Sequence, residues 1–248
     1  MKLVLGPSSL TTTLDFTIFQ NIGNIKLTAG RIGHFDKIGL CFSGGLDSTA
    51  LLCLILSELK RIDLLDVIPV TCFTVLKNDG VTYYADRILR KVEERFECDI
   101  EHINNIENPF VNILPSLFND GVMLNIVNMK KNMIFYTALN LPPVTLVSFN
   151  HSSPAAFDEN FSKKHHIVAP FRNMHKPQIL DILYKLNCED LIQFTHSCVM
   201  QPTGKCDNCF SCEERSWGFG ELNKIDPGTL SVDIPDITFN NTWIIPSV

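Results

Sequence analysis

Short apolar runs alternate with helically spaced apolar segments along residues 37–190. Residues 38–42 form an apolar run and residues 48–60 are apolar at helical spacing, which predicts a strand followed by a helix. A β-rich run at 67–75 and a helical stretch at 83–97 repeat this order. Such alternation predicts an α/β fold, in which a parallel sheet is sandwiched by helices.

The same alternation continues in the second half of this region. A short strand is expected at 100–103, and a helix is predicted at 130–140 that ends before two consecutive prolines. A strand is then expected at 144–149, another at 167–169 and a helix at 176–186. These elements place the end of the core domain near residue 190.

The segments that flank the core differ from it in pattern. Residues 1–36 hold β-prone runs broken by glycines, which predicts an N-terminal β extension. Residues 191–220 contain closely spaced cysteines and form a predicted metal module. Residues 221–248 are rich in proline, asparagine and β-branched residues, which predicts an extended C-terminal tail. The predicted core domain is therefore 37–190.

Composition and charge limit the classes of function. The 248 residues are 45% hydrophobic with a net charge of -6, so the chain can bury a full core but lacks a broad cationic surface for nucleic acid. The apolar stretch at 50–56 is far shorter than the roughly 20 residues that span a bilayer. The N-terminal apolar run is too short for a signal peptide. Nine cysteines would suggest disulfides in a secreted protein, but without a signal peptide the reducing cytoplasm is the expected compartment. The acidic charge balance favours a small-molecule or protein substrate.

The first core strand and helix are joined by a glycine loop, Ser43-Gly44-Gly45-Leu46-Asp47-Ser48. Free N–H groups at a helix N-terminus attract anions, and glycines let the backbone approach a phosphate. The two serine hydroxyls can donate to phosphate oxygens, whereas Asp47 would repel a phosphate and is suited to hold Mg2+. A turn in which Asp47 and Ser48 only cap the helix is the alternative. We predict that the loop binds a nucleotide.

Four cysteines near the C-terminus have the spacing of a metal site. They are Cys198, Cys206, Cys209 and Cys212. Four thiolates fill the coordination of a tetrahedral zinc and leave no position for water, so the expected zinc is structural. An iron–sulfur cluster on the same thiolates is the chemical alternative. The other cysteines lie in or beside apolar runs and are expected to be small core residues: Cys41, Cys53, Cys72, Cys98 and Cys188.

These motifs resemble known families. The Ser-Gly-Gly-x-Asp-Ser sequence at 43–48 resembles the signature of the N-type ATP pyrophosphatases, or PP-loop enzymes. Residues 194–215, with the four cysteines, resemble the zinc site of the QueC family of 7-cyano-7-deazaguanine synthases, and residues 169–180 are similar to a second stretch of that family. The resemblance implies a Rossmann-like fold of the adenine nucleotide alpha hydrolase type. It also implies cleavage of ATP to AMP and pyrophosphate.

The resemblance further implies that the enzyme adenylates the carboxylate of 7-carboxy-7-deazaguanine for attack by ammonia, as in queuosine biosynthesis. Lys176 matches a lysine of the family, and Lys131 stands where the family has an arginine, so both are predicted phosphate contacts. Solvated lysines are the alternative. The family's base-binding segment is replaced around Phe157 and Asp158, where Asp158 is the predicted acceptor for the base's amino and imino groups, and a surface acid is the alternative.

Two other functions stay open. The altered base-binding segment fits a QueC-like ligase that joins a deazaguanine to an amine of a partner protein, as in paralogues associated with anti-phage defence. The third is a non-catalytic nucleotide-sensing protein, against which the intact Asp47 and loop serines argue. The predicted cofactors are ATP, Mg2+ and structural Zn2+, and no membrane partner is expected. A homodimer stays open because the sequence does not determine the oligomeric state.

Overall fold

The computed structural model describes residues 10–13, 24–27, 37–75, 81–106, 133–143, 167–201 and 203–230. In chain order, these residues form β1 (Leu10–Thr13), β2 (Asn24–Leu27), β3 (Lys37–Cys41), α1 (Leu46–Arg61), β4 (Val70–Val75), α2 (Val81–Phe96), β5 (Ile100–Ile106), β6 (Met133–Tyr136), β7 (Ile167–Val168), α3 (Lys176–Lys185), a 3-10 helix (Glu189–Phe194) and α4 (Phe210–Glu221). None of the helices described is long and apolar enough to cross a membrane.

Five strands form one parallel sheet in the order β5-β4-β3-β6-β7. The central strands β3, β4 and β6 bury most of their apolar residues, as is typical of parallel strands that pack on both faces. Strand order reverses at β3, so the carboxyl ends of β3 and β6 border the crevice where such sheets bind ligands. The parallel sheet with its helices confirms the predicted α/β fold.

Two helices show how sequence periodicity builds the core. α1 is apolar on nearly all sides and is enclosed, with Leu51, Leu54 and Ile55 fully buried. α2 is amphipathic and buries one face that includes Ala85 and Ile88. Each fully buried Leu or Ile side chain contributes about 1.5–3 kcal/mol through removal of apolar surface from water. The core therefore centres on α1 and holds the loop that precedes it.

The flanking regions are only partly described. β1 and β2 pair antiparallel in a separate two-stranded sheet, with Leu10 opposite Leu27, which confirms the N-terminal β extension. Residues 224–230 have no regular secondary structure, and residues 231–248 of the predicted tail lie outside the described residues. The domain boundaries stay predictions.

The helix predicted at 130–140 is wrong. Strand β6 occupies 133–136 and residues 137–143 are irregular. All four residues of β6 are buried, and they pair with β3 on one side and β7 on the other. A short continuous apolar run is compatible with a buried helix and also with a parallel strand that is buried on both faces of the sheet. The pairing with β3 decides in favour of the strand. The strand predicted at 144–149 lies outside the described residues.

Candidate functional site

The glycine loop follows β3 and forms a tight turn into α1. Ser43 Oγ lies 3.2 Å from Ser48 Oγ, and Ser48 Oγ donates to the carbonyl of Gly45 at 3.1 Å. The hydroxyl of Thr49 donates to the same carbonyl at 2.9 Å. Ser48 is buried while Ser43 is exposed, so the loop presents Ser43 on its open side and keeps Ser48 inside.

Gly44 fixes the loop between α2 and the segment that leads to the cysteines. Its φ is +71°, and a Cβ at this position would lie 2.7 Å from the backbone nitrogen of Ala85 in α2. The carbonyl of Gly44 accepts a hydrogen bond from the backbone N–H of His196 at 3.1 Å. The His196 ring stacks on Tyr84 with 4.2 Å between ring centroids. Only glycine satisfies both the backbone angle and this close approach.

Gly44→Ala is expected to lower the free energy of unfolding by about 2–4 kcal/mol, because left-handed backbone strain and overpacking against Ala85 add together. The matched control is Gly220→Ala in α4, where an added Cβ meets nothing within 4 Å and alanine is the better helix former. Chemical denaturation measures both variants. Equal stabilities for the two variants would contradict this account of the loop.

Lys176, the first residue of α3, reaches the glycine loop. Its Nζ lies 2.6 and 2.5 Å from the two carboxylate oxygens of Asp47, and 3.0 Å from Oε2 of Glu214 in α4. Burial opposes the charge on Lys176, which is only 5% exposed, but the two carboxylates prevail and its pKa is raised. The contribution of this ion pair to the stability of the fold is fully present below the ordinary lysine pKa. It is lost only as the pH rises through the raised pKa of Lys176. The ammonium is therefore charged at neutral pH.

Glu214 joins two further elements to this ion pair. Its Oε1 accepts a hydrogen bond of 2.7 Å from Nδ2 of Asn140, in the segment after β6. A Cβ on Gly218 would lie 2.7 Å from Cγ of Lys176, so α4 packs directly over the lysine stem. Glu214 lies in the cysteine-rich stretch at 194–215, but neither it nor Asn140 was predicted to contribute to the loop site, because their meeting with Lys176 depends on long-range packing.

The sulfur atoms of the four cysteines lie within 4.8 Å of one another. Cys209 is the N-cap of α4 and Cys212 lies in its first turn. The backbone N–H of Gln201 donates to Sγ of Cys198 at 3.3 Å. This arrangement confirms the predicted C-terminal four-cysteine module and fits a metal site.

Arg215 anchors the cysteine module to its surroundings. Its buried guanidinium forms an ion pair with Asp226 at 2.9 Å and donates to the hydroxyl of Thr195 at 3.0 Å and to the carbonyl of Gly228 at 3.0 Å. A buried arginine needs such partners because an unpaired charge is costly in the protein interior. The module is thus packed against the segment after the 3-10 helix and the start of the tail.

The structure places some of the predicted residues together and is silent on others. Asp47 and Lys176 meet at the loop, beside the two serines. Lys131, Phe157 and Asp158 lie outside the described residues, so their contacts stay predictions. Of the five other cysteines, the predicted core position is confirmed for the three that are buried, Cys53, Cys72 and Cys188. The remaining two, Cys41 and Cys98, are only partly buried.

Comparison with known families matches residues 142–223 to the family described as "Queuosine biosynthesis protein QueC". Over these residues the chain is QueC-like. The QueC-like segment contains α3, α4 and the four cysteines, and it supports ATP-using chemistry of the adenylating kind in general. The glycine loop at 43–48 lies before the matched residues.

Comparison with other proteins and structures gives weaker similarity. No curated protein matches the chain at a significant level. The solved structure "U34-tRNA thiolase NcsA from Methanococcus maripaludis with its [4Fe-4S] cluster" is 16% identical with a TM-score of 0.46. The alignment covers 75% of this chain and 66% of that one, so the chain spans just under two thirds of that protein's length.

Proposed function

We propose that the chain is an ATP-dependent enzyme that adenylates the carboxylate of 7-carboxy-7-deazaguanine and releases AMP and pyrophosphate. The acyl group then passes to a nitrogen nucleophile, with ammonia as the first candidate. The observation that carries the proposal is the contact between Lys176 of the QueC-like segment and Asp47 of the glycine loop, at 2.5–2.6 Å. Two motifs far apart in the chain meet where α/β sheets bind nucleotides.

In the proposed reaction, the loop binds the leaving pyrophosphate. The backbone N–H groups at the start of α1 and the hydroxyl of Ser43 face its oxygens. Lys176 neutralises the charge that develops there, and attack by the substrate carboxylate on the α-phosphate forms the acyl-adenylate. AMP is a far better leaving group than hydroxide, so a nitrogen nucleophile can displace it without a covalent enzyme intermediate. Catalysis is then positioning and charge neutralisation.

The residues at the loop fit a Mg2+ ion. Asp47, Glu214 and Lys176 together carry a net charge of about -1 when all are ionised, which attracts a cation. Asp47 is the accessible carboxylate, because its side chain is 25% exposed and that of Glu214 only 6%. Asp47 would hold Mg2+, which supplies positive charge against the pyrophosphate. A carboxylate has about four lone-pair sites, so contact with Lys176 and with a cation can coexist.

We infer that the four cysteines hold zinc. A tetrahedral zinc with bonds of about 2.3 Å places its sulfur ligands about 3.8 Å apart, in keeping with Sγ atoms that all lie within 4.8 Å. A [4Fe–4S] cluster binds each thiolate to a different iron, which spreads the sulfurs further apart. The compact arrangement supports a single ion, and four thiolates leave it no open position for catalysis.

The product assay is the direct test of this function. ATP should be cleaved to AMP and pyrophosphate faster when a 7-deazaguanine carboxylate is added, and the products are resolved by chromatography. The reaction is run with ammonium and, separately, with a candidate partner protein, because an amine on a protein is the alternative acceptor. Asp158→Asn is expected to weaken the stimulation, since an amide donor would face donors of the base and leave them unpaired.

Each outcome of the product assay has a distinct meaning. If the carboxylate leaves the rate unchanged with both acceptors, the deazaguanine assignment fails and the broader adenylating class survives. If the products are ADP and phosphate, the adenylating class fails as well. If the chain binds ATP but releases neither product under any condition, the nucleotide-sensing alternative replaces the enzyme.

A further inference from the structure

We propose that Glu214 is a positioning residue that holds Lys176 at the glycine loop and thereby couples the four-cysteine module to the nucleotide site. The inference rests on the proposed function in one respect, namely that Lys176 faces the phosphates of ATP. Its structural part, the dependence of Lys176 on Glu214 and on the metal module, can be tested without any turnover.

Both oxygens of Glu214 are engaged by donors from different elements. Oε2 lies 3.0 Å from Nζ of Lys176 in α3, and Oε1 accepts the hydrogen bond of 2.7 Å from Asn140 after β6. A carboxylate that is nearly buried must be paired in this way, because desolvation of an unpaired charge is costly. The two contacts hold the carboxylate in one orientation, and the lysine with it.

The two carboxylates that share Lys176 differ in what can reach them. Asp47 is part of the loop and is a quarter exposed, whereas Glu214 lies on a packed helix face and is almost fully buried. A cation that arrives with ATP can therefore recruit Asp47 but not Glu214. Lys176 then keeps Glu214 as a buried partner, and this contact maintains the charge and the position of the lysine. The other N–H groups of the Lys176 ammonium are free to donate to the phosphates.

The position of Glu214 depends on the cysteine module. Cys209 caps α4 and Cys212 lies two residues before Glu214. α4 has only 12 residues, and helices of this length are marginal without tertiary support. Gly218 on the same helix allows the close approach to the stem of Lys176. Loss of the metal would release the start of α4, and with it the carboxylate that holds the lysine.

The test measures how fast Lys176 reacts with an amine-acylating reagent, read by peptide mass spectrometry with exposed Lys37 as the internal reference. Glu214→Gln keeps the shape of the side chain and an oxygen for Asn140 but removes the charge. We expect Lys176 to be labelled about tenfold faster in this variant. A tenfold change is what the loss of the free energy of one charge-assisted hydrogen bond would produce. The control is Glu213→Gln, a change of the same kind one residue closer to Cys212, which should label like wild type.

Two further measurements separate positioning from a general structural role. Removal of the metal from the wild-type protein by a chelator should raise the labelling of Lys176 as Glu214→Gln does. Glu214→Gln should retain the metal content of the wild type, with a kcat for ATP cleavage lowered about tenfold and a KM that changes little. If Glu214→Gln does not fold, Asn140→Ala removes the donor that orients Glu214 and should increase labelling in the same direction.

Unchanged labelling of Lys176 in Glu214→Gln, or in the metal-free protein, would overturn the inference. That result does not depend on whether the chain cleaves ATP. If labelling rises as expected but the wild-type protein shows no ATP cleavage, the coupling stands and the proposed function fails. A rise in KM with unchanged kcat would overturn the positioning role in catalysis, because it assigns Glu214 to substrate binding alone.

Discussion

Asp47→Ala is expected to slow ATP cleavage by about a thousandfold, because a metal-holding carboxylate contributes several kcal/mol of transition-state charge stabilisation. The same change removes both contacts between the loop and Lys176, which leaves the lysine with Glu214 as its carboxylate partner. The rate of AMP formation with saturating ATP and carboxylate is the measurement. The effect should appear mainly in kcat, since the lost interactions strengthen in the transition state.

Stability and a matched variant make this prediction specific. Lys176 keeps Glu214 as a partner in Asp47→Ala, so the free energy of unfolding should fall by only about 1–3 kcal/mol and the fold should persist. Asp66→Ala replaces an exposed aspartate outside the loop and should cleave ATP like the wild type. Normal ATP cleavage by Asp47→Ala would contradict the role of the loop and leave it as a helix cap.

Removal of the metal, by chelation or by Cys209→Ser, is expected to lower the free energy of unfolding by several kcal/mol. Closed thiolate sites supply folding energy directly, and the site here joins the segment at Cys198 to the start of α4. Denaturation curves of the metal-loaded, chelated and Cys209→Ser proteins measure the effect. The loss should centre on the module, because the core around α1 has its own apolar packing.

Metal content and a control cysteine complete this test. Elemental analysis of the wild type should find about one zinc per chain and no visible absorbance. Cys98→Ser changes a half-buried cysteine outside the cluster and should retain both metal and stability. If the protein contains iron and absorbs visible light, the site holds an iron–sulfur cluster and the zinc assignment is wrong. If chelation leaves the stability unchanged, the four cysteines hold no structural metal.

Local periodicity was enough to predict most elements of the core. The apolar residues within each of the segments that form α1, α2 and α3 recur at helical spacing. The residues that are buried in these helices agree with that spacing. Prediction failed at 133–136, where four apolar residues carry no period of their own. The choice between helix and strand there depends on pairing with β3, which is a contact between residues far apart in the chain.

The candidate site divides in the same way. The glycine loop and the four cysteines are each contiguous or closely spaced, so residue types and spacing by themselves indicated that the four thiols would cluster and that the loop would lead into a helix. The partners of the loop could not be inferred from spacing: Lys176 lies 129 residues after Asp47, and Glu214 lies later still, in α4 just after the last cysteine. Only the packing of α3 and α4 brings one ammonium between two carboxylates. That arrangement depends on tertiary contacts such as the missing Cβ of Gly218, because the energy of an ion pair is set by distance and burial and not by position in the chain.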